Sequence, residues 1–282
     1  MPELERRIIA GRLAYEITES EEPGHATAIA REALAAGDRF LVAVGGDGTI
    51  NEVVNGMIED DRLIAEDSIL GVVSAGSGSD FVKTFGLPDG VITAVRHLLT
   101  DRAYPIDIGK VTYQEAGAER TRYFANVAEA GLGGRVVRRA ERLPRWLGRG
   151  RYFLGFWLAL ARHKAGEVTV RADRREFRGE ANNVVVANCQ FYGGGMRISP
   201  RSYPSDGKFD VQISTGPKSQ AFTLLPKIYR GDHIPNENIK EMLATTVTVE
   251  AERPLPVEVD GEPLGATPAR FEILHELLRL KI

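Results

Sequence analysis

The sequence holds a single cysteine, Cys189, so no disulfide can close within the chain, and such thiol usage fits a reducing compartment. Long apolar runs are missing too. The longest, Tyr152 to Ala161, has ten residues and is too short to span a bilayer. The N-terminal stretch MPELERRIIAGRL lacks an apolar centre followed by a cleavage site, which argues against a signal peptide. A soluble cytoplasmic protein, at most peripheral to a membrane, is therefore expected. Positive charge is not in excess: 36 Lys and Arg against 39 Asp and Glu leave a net charge of −3, so no nucleic-acid partner drawn by overall charge is expected. Several catalytic signatures are also absent. The five histidines, His25, His97, His163, His233 and His275, show no metal-ligand spacing with each other or with Cys189. No Gly-x-Ser-x-Gly elbow marks a serine hydrolase, and no fixed-period repeat or low-complexity tract is present.

What remains is an ordinary globular composition, 43% hydrophobic and 27% charged over 282 residues, enough for two domains. The first hundred residues alternate strand and helix signals. LAYEIT (13–18) reads as a short strand, and HATAIAREALAA as a helix stopped by Gly37. RFLVAVGG has no polar alternation, as expected of a strand buried on both faces of a parallel sheet. The run TINEVVNGM then reads as a helix, ILGVVSAG as a strand and DFVKTFGLP as a helix closed by Gly86 and Pro88. This alternation predicts an α/β domain with a parallel sheet.

After Pro105 the texture changes to short strand candidates separated by turn residues: IDIGKVTY, RYFANVAEAG, EVTVRAD, NNVVVANCQ, KFDVQIS, TTVTVEAE and LPVEVDG. Helical interruptions fall near 135–162 and 218–231. The pattern predicts a C-terminal antiparallel β-sandwich domain. The expected division is an α/β nucleotide-binding domain at 1–107, the sandwich at 108–265, and a segment at 266–282 that returns to the first domain.

The stretch LVAVGGDGTINEVVNGM (41–57) runs a buried strand into three glycines and then a helix. Thr49 and Glu52 fit a capping box, with Ile50, Val53, Val54, Met57 and Ile58 forming one apolar stripe. The free N–H groups of such a helix start attract phosphate, and Gly45, Gly46 and Gly48 leave room for it. Asp47 is out of place beside phosphate alone and makes sense if Mg²⁺ comes with it. Strand–glycine–helix turns often bind nothing, however, and this one is neither a dinucleotide fingerprint nor a Walker loop. A second such loop, Ala75 to Ser79, follows the next strand, so both turns belong at one edge of a parallel sheet, where open α/β folds bind ligands.

GGDGT (45–49), GSGSDFVKTFGLP (76–88), DGKFDV (206–211) and VDGE (259–262) occur in one order along the chain. With them the sequence resembles the lipid kinase family of diacylglycerol kinases, sphingosine kinases and bacterial lipid kinases. The resemblance implies a two-domain, NAD kinase/diacylglycerol kinase-like fold with ATP in the cleft and an ATP-dependent transfer of the γ-phosphate to a lipid hydroxyl. Diacylglycerol is the first candidate acceptor, giving phosphatidic acid. It further implies that Gly45, Gly46, Asp47, Gly48, Thr49, Ile50 and Asn51 hold the ATP phosphates and that Ser77, and more loosely Thr18, contact the nucleotide. Glu262 corresponds to the proton acceptor, and Asp47 would position Mg²⁺–ATP. Asp206 would give a side-chain oxygen, and Tyr203 and Lys208 carbonyls, to a structural Mg²⁺. Two departures stand out: Ser79-Asp80 replaces the usual Asn-Asp, and the family's first strand with its Asn-Pro turn is expected to be missing ahead of MPELERRI.

Plainer alternatives stand beside these assignments. Asp260-Gly261 and Asp206-Gly207 are each a hairpin signal in their own right. Seven arginines between Arg135 and Arg151 precede an aromatic-rich run, either as a solvated basic face or as a membrane-docking surface over 135–157 with Trp146, Phe153, Phe156 and Trp157 at the interface. An NAD kinase-like enzyme shares the GGDGT loop, and a nucleotide- or lipid-binding protein without turnover would follow from a missing first strand. A sandwich edge would suit a homodimer.

Overall fold

A computed structural model describes residues 15–75, 80–88, 96–144 and 150–282. The first helix, α1 (His25–Ala36), is bounded by Gly24 and Gly37 and turns Ala26, Ala30 and Leu34 inward. Strand β1 (Phe40–Gly45) follows, then α2 (Asp47–Met57), the small β2 (Ile58–Glu59) and β3 (Arg62–Leu63) hairpin, β4 (Ile69–Ser74) and the short α3 (Asp80–Thr84). β1 and β4 run parallel in full register. Helices α1 and α2 touch closely because residue 56 is glycine: a Cβ there would lie 2.5 Å from the Thr27 carbonyl oxygen and 2.7 Å from Ala30 Cβ.

The rest is mainly antiparallel: β5 (Ala103–Glu115), β6 (Ala118–Phe124), β7 (Val127–Gly131), β8 (Gly166–Ala172), β9 (Arg175–Ala181), β10 (Asn183–Ala187), β11 (Phe209–Ser214), β12 (Ile239–Ala244), β13 (Thr246–Ala251), β14 (Pro256–Val259) and β15 (Glu262–Lys281). Helices α4 (Leu132–Glu141), α5 (Gly150–Arg162) and α6 (Ala221–Arg230) are inserted between them. The main run is β12-β11-β10-β7-β14-β15-β13-β8-β9, with β4 and β5 also paired to β15. Alternate residues of the two arms, such as Val184, Val211 and Val257 in one and Val170, Val249 and Phe271 in the other, meet in one core. Phe124 stacks on Phe209 at 5.7 Å and meets Phe271 edge-on at 6.4 Å. Burying each such ring contributes roughly 1.5–3 kcal/mol. A second core joins α1, α2 and β4 to Ile106 and Ile108 of β5 and to Leu278 and Leu280 of β15. The end of β15 pairs with β4 in parallel, at Arg279 and Leu280.

The expected α/β layer with a parallel sheet and antiparallel sandwich is the observed architecture, with local corrections. Residues 15–18 have no regular structure and are exposed, so LAYEIT is not a strand over its described part. β1 is not buried on both faces: Phe40 and Val42 are 37% and 36% exposed, because among the described residues it pairs with β4 alone. RYFANVAEAG is two strands, broken at Ala125-Asn126. Strands β9 and β12 were not anticipated. The expected first-strand region ahead of Tyr15 lies outside the described residues. Among the described residues no helix is long and apolar enough to cross a membrane.

Candidate active site

Helix α2 starts at Asp47, three residues earlier than a Thr49 cap requires, with Gly46 as its extended N-cap residue. The capping box does not form. Thr49 lies inside the first turn, its side chain against Gly45, and the Glu52 carboxylate instead accepts the Ala26 N–H at 3.1 Å. Ile50, Val53, Val54, Met57 and Ile58 are buried as the stripe predicted. The open end of an eleven-residue helix thus stands directly on the glycine turn, presenting N–H groups and partial positive charge.

Three groups converge on that end. Asp47 does not face outward: Oδ1 accepts the Phe81 N–H at 3.0 Å and Oδ2 the Asp80 N–H at 3.2 Å. It therefore caps α3 and ties the first glycine turn to the start of that helix. Burial raises its pKa, the two amide hydrogen bonds pull it down, and Asp80 nearby raises it again. Asp80 itself is buried, accepts the Gly194 N–H at 2.6 Å and pairs with Lys83 at 3.0 Å. Gly193, Gly194 and Gly195 all have positive φ, a path open to glycine, and bring that amide onto Asp80.

Glu262 approaches from the sandwich. Its Oε1 lies 3.8 Å from where a Cβ on Gly48 would be, so the carboxylate faces the first turn of α2. Its Oε2 accepts from Arg122 Nη2 at 2.9 Å, and the same nitrogen donates to Asn51 Oδ1 at 2.9 Å. Arg122 Nε is buried with no hydrogen-bond partner among the described residues.

Asp260 secures this junction. It sits at φ 49°, followed by Gly261 at φ 86°, the geometry of a tight hairpin turn. Its carboxylate accepts the amides of Ala125, Asn126 and Val127 at 3.0–3.1 Å and Asn51 Nδ2 at 2.8 Å. Capture of those three amides is what interrupts the strand between β6 and β7. Burial pushes its pKa up to about 6 against the pull of those donors. Asn51, also bonded to Asn55, is fully buried between the two domains.

The structure thus brings Gly45, Gly46, Asp47, Gly48, Thr49, Ile50, Asn51 and Glu262 to one place. Ser77 lies outside the described residues. Thr18 sits in an exposed, irregular segment with no hydrogen-bonded partner among the described residues. Sequence reasoning missed Arg122, Asp80 and the carboxylate role of Asp260. Asp260 was half visible as a turn. Nothing local distinguishes Arg122 from Arg120, and only strand register selects it.

The residues 203–208 form one turn. The Tyr203 carbonyl accepts the amides of Ser205 and Asp206, and Asp206 Oδ1 accepts the Lys208 N–H at 2.9 Å. Asp206 and the carbonyls are hard oxygen donors suited to a divalent cation. The turn nevertheless already uses part of that set internally, and no cluster of three His, Cys, Asp or Glu occurs among the described residues.

The basic stretch forms a groove. Arg135, Arg138 and Arg139 of α4, Arg142 just past its end and Arg162 of α5 line a cavity of about 190 Å³. Arg138 also donates to the carbonyls of Leu264 and Gly265, just beyond Glu262. Burial and the positive charge of Arg135 press the His163 pKa down to about 4. Alongside, Trp157 stacks on Phe222 of α6 at 4.6 Å, and Phe153 and Phe222 are 60% and 66% exposed. Trp146 lies outside the described residues.

A family model described as the diacylglycerol kinase catalytic domain matches residues 2–111, and one described as the YegS C-terminal NAD kinase beta sandwich-like domain matches 126–282. The chain belongs to the diacylglycerol kinase family. A diacylglycerol kinase of Bacillus subtilis (strain 168) is 32% identical over 258 residues, covering 89% of this chain and 80% of that protein. The probable lipid kinase YegS-like of Klebsiella pneumoniae (strain 342) is 28% identical over 93% of this chain and 84% of its own length. A crystal structure of a diacylglycerol kinase from Bacillus anthracis str. Sterne superposes with a TM-score of 0.74 at 22% identity, over 99% of this chain and 90% of that one. That likeness concerns the fold. The chain is a lipid kinase, and the converging groups are its candidate catalytic centre.

Proposed function

We propose that this kinase transfers the γ-phosphate of ATP to the hydroxyl of diacylglycerol, giving phosphatidic acid. The supporting observation is the Glu262 carboxylate facing Gly48 at the positive end of α2. In this reading the phosphates lie on the glycine turn and the α2 amides, and the lipid hydroxyl enters between them and Glu262. A lipid hydroxyl is a weak acid, so Glu262 takes its proton as the new P–O bond forms. Arg122, already bonded to Glu262 and Asn51, offers its guanidinium to the charge building on the transferring group. Mg²⁺, when bound, would neutralise phosphate charge. Asp47 in the turn and Asp80 bonded to it are the carboxylates that would serve that ion, and Asp206 with the Tyr203 and Lys208 carbonyls would serve a structural ion.

The membrane face in this proposal is the α4–α5 groove with Phe153, Trp157 and Phe222, which makes the kinase peripheral to the bilayer during turnover. Arginines without carboxylate partners among the described residues beside exposed aromatics support it. The test is transfer from γ-labelled ATP with Mg²⁺ to a panel of neutral and anionic lipid alcohols in mixed micelles. Labelled phosphatidic acid as the main product is expected. Faster labelling of another alcohol would replace diacylglycerol as the acceptor.

A further inference from the structure

Two buried carboxyls stand directly behind the candidate base and have no part in the chemistry above. Alternation sends Ala128, Ala130, Val257 and Val259 into the sandwich core, so Glu129 of β7 and Glu258 of β14 share the opposite face. They are register partners on neighbouring strands. Both are buried, at 0% and 1% exposure. The first turn of α4 roofs them: a Cβ on Gly133 would collide with the Glu129 carboxyl. The groups around them are Tyr192, Asn183, Tyr229 and Asp260, none of them cationic. Among the described residues neither Glu129 oxygen closes a hydrogen bond, although Tyr192 and Asn183 face it. Glu258 Oε2 accepts the N–H of Gly261 at 3.1 Å. Gly261 is the residue between Asp260, which is anchored to Asn51, and Glu262.

We infer that Glu258, set against Glu129 in a buried pair that carries at most one charge, is a positioning residue that holds the Asp260-Gly261-Glu262 turn and so aims Glu262 at Gly48. Two adjacent carboxylates in a dry site without a counter-ion cannot both be charged. Burial accordingly raises both, Glu129 to about 7 and Glu258 well above the ordinary carboxylate range. Loss of the pair's last proton sets two charges side by side and forces the carboxylates apart. Glu258 then releases the Gly261 amide, and Glu262 leaves its place over α2. The pair acts through Glu262 and touches no substrate.

This role depends on Glu262 being the base, so the experiment has one arm that reads activity and one that does not. The pH profile of kcat from pH 6 to 10 is measured for the native kinase, Glu129→Gln, Glu258→Gln and Glu258→Leu. The native enzyme is expected to show an alkaline limb falling about tenfold per pH unit. Glu129→Gln, whose amide can donate to Glu258, and Glu258→Gln, which still accepts from Gly261, should both lose that limb. Glu258→Leu should lower kcat about tenfold or more at every pH, with KM for ATP unchanged, since a small misplacement of a catalytic group is costly. In parallel, the Gly261 amide resonance is followed by NMR. It should titrate with the alkaline limb in the native protein and stay flat in Glu129→Gln, whether or not a given lipid is phosphorylated. A limb that survives in both Gln variants, or a Gly261 resonance that titrates equally in native protein and Glu129→Gln, overturns the inference. A titrating amide with no dependence of activity on Glu262 leaves the pair standing and removes the base.

Discussion

Asp260 and Glu262 are two residues apart and have opposite settings. Glu262 is partly exposed beside Arg122, whereas Asp260 is half-buried and held by four donors. Replacing Asp260 with Asn keeps the shape but turns an amide toward backbone N–H groups that need acceptors. Each buried donor left unpaired costs about 1–3 kcal/mol, so the variant should lose roughly 2–4 kcal/mol of stability. Chemical denaturation measures that loss, and an unchanged midpoint would mean the anchor is not structural. Glu262 was legible because the short DGE motif and the family resemblance coincide there. Asp260 and Arg122 were less so, since their partners lie 133 or more positions away in the chain for the Asp260 amides and 140 for Arg122 and Glu262. Only the folded register of β6, β7 and β15 brings them together.

At the scale of elements, helix α2 shows propensity yielding to tertiary contacts. It contains Gly48, Asn51, Asn55 and Gly56, weak helix formers, yet runs from Asp47 to Met57. Its asparagines hold the sandwich and its glycines allow close approach. Gly56→Ala would gain about 1 kcal/mol of helix propensity. That gain is expected to lose to the collision with the Thr27 carbonyl, where overpacking costs typically 1–3 kcal/mol. A net fall in Tm checks it, and a rise would mean α1 moves aside freely. The buried strands, β4, β10 and β11, were readable from their apolar runs. β12, with sequence IKEMLA, was not, because its residues favour helix and become strand only by pairing with β11. β9 is rich in charge and pairs with β8 alone, so it carries little apolar signal. The start of α2 was misplaced for a related reason. Thr49 and Glu52 satisfy the capping pattern, but the Ala26 amide competes for Glu52 and wins.

For the whole molecule, β15 is the piece that joins the parts. It leaves the candidate catalytic turn at Glu262, crosses the sandwich and ends beside β4. On the outer surface the arginine groove adjoins the exposed Phe153 and Phe222. If that face meets the bilayer, Phe153→Ser with Phe222→Ser should weaken sedimentation with anionic vesicles about tenfold or more, and Arg138, Arg139 and Arg142 changed to Glu should do likewise. Neutral vesicles should be bound weakly by all forms. Unchanged anionic-vesicle binding in both variants would place the membrane face elsewhere. The two-layer architecture was legible because strand–helix alternation gives way to closely spaced short strands near Pro105. The pairing of distant segments across the site was not.

The central claim is that Glu262 is the proton acceptor of this kinase. The direct measurement is kcat for lipid phosphorylation by Glu262→Gln beside the native chain, with ATP affinity measured on both. The account predicts a fall of roughly 10²–10⁴-fold in kcat with ATP binding essentially retained. Native turnover by Glu262→Gln, with the same lipid and the same ATP affinity, would contradict it.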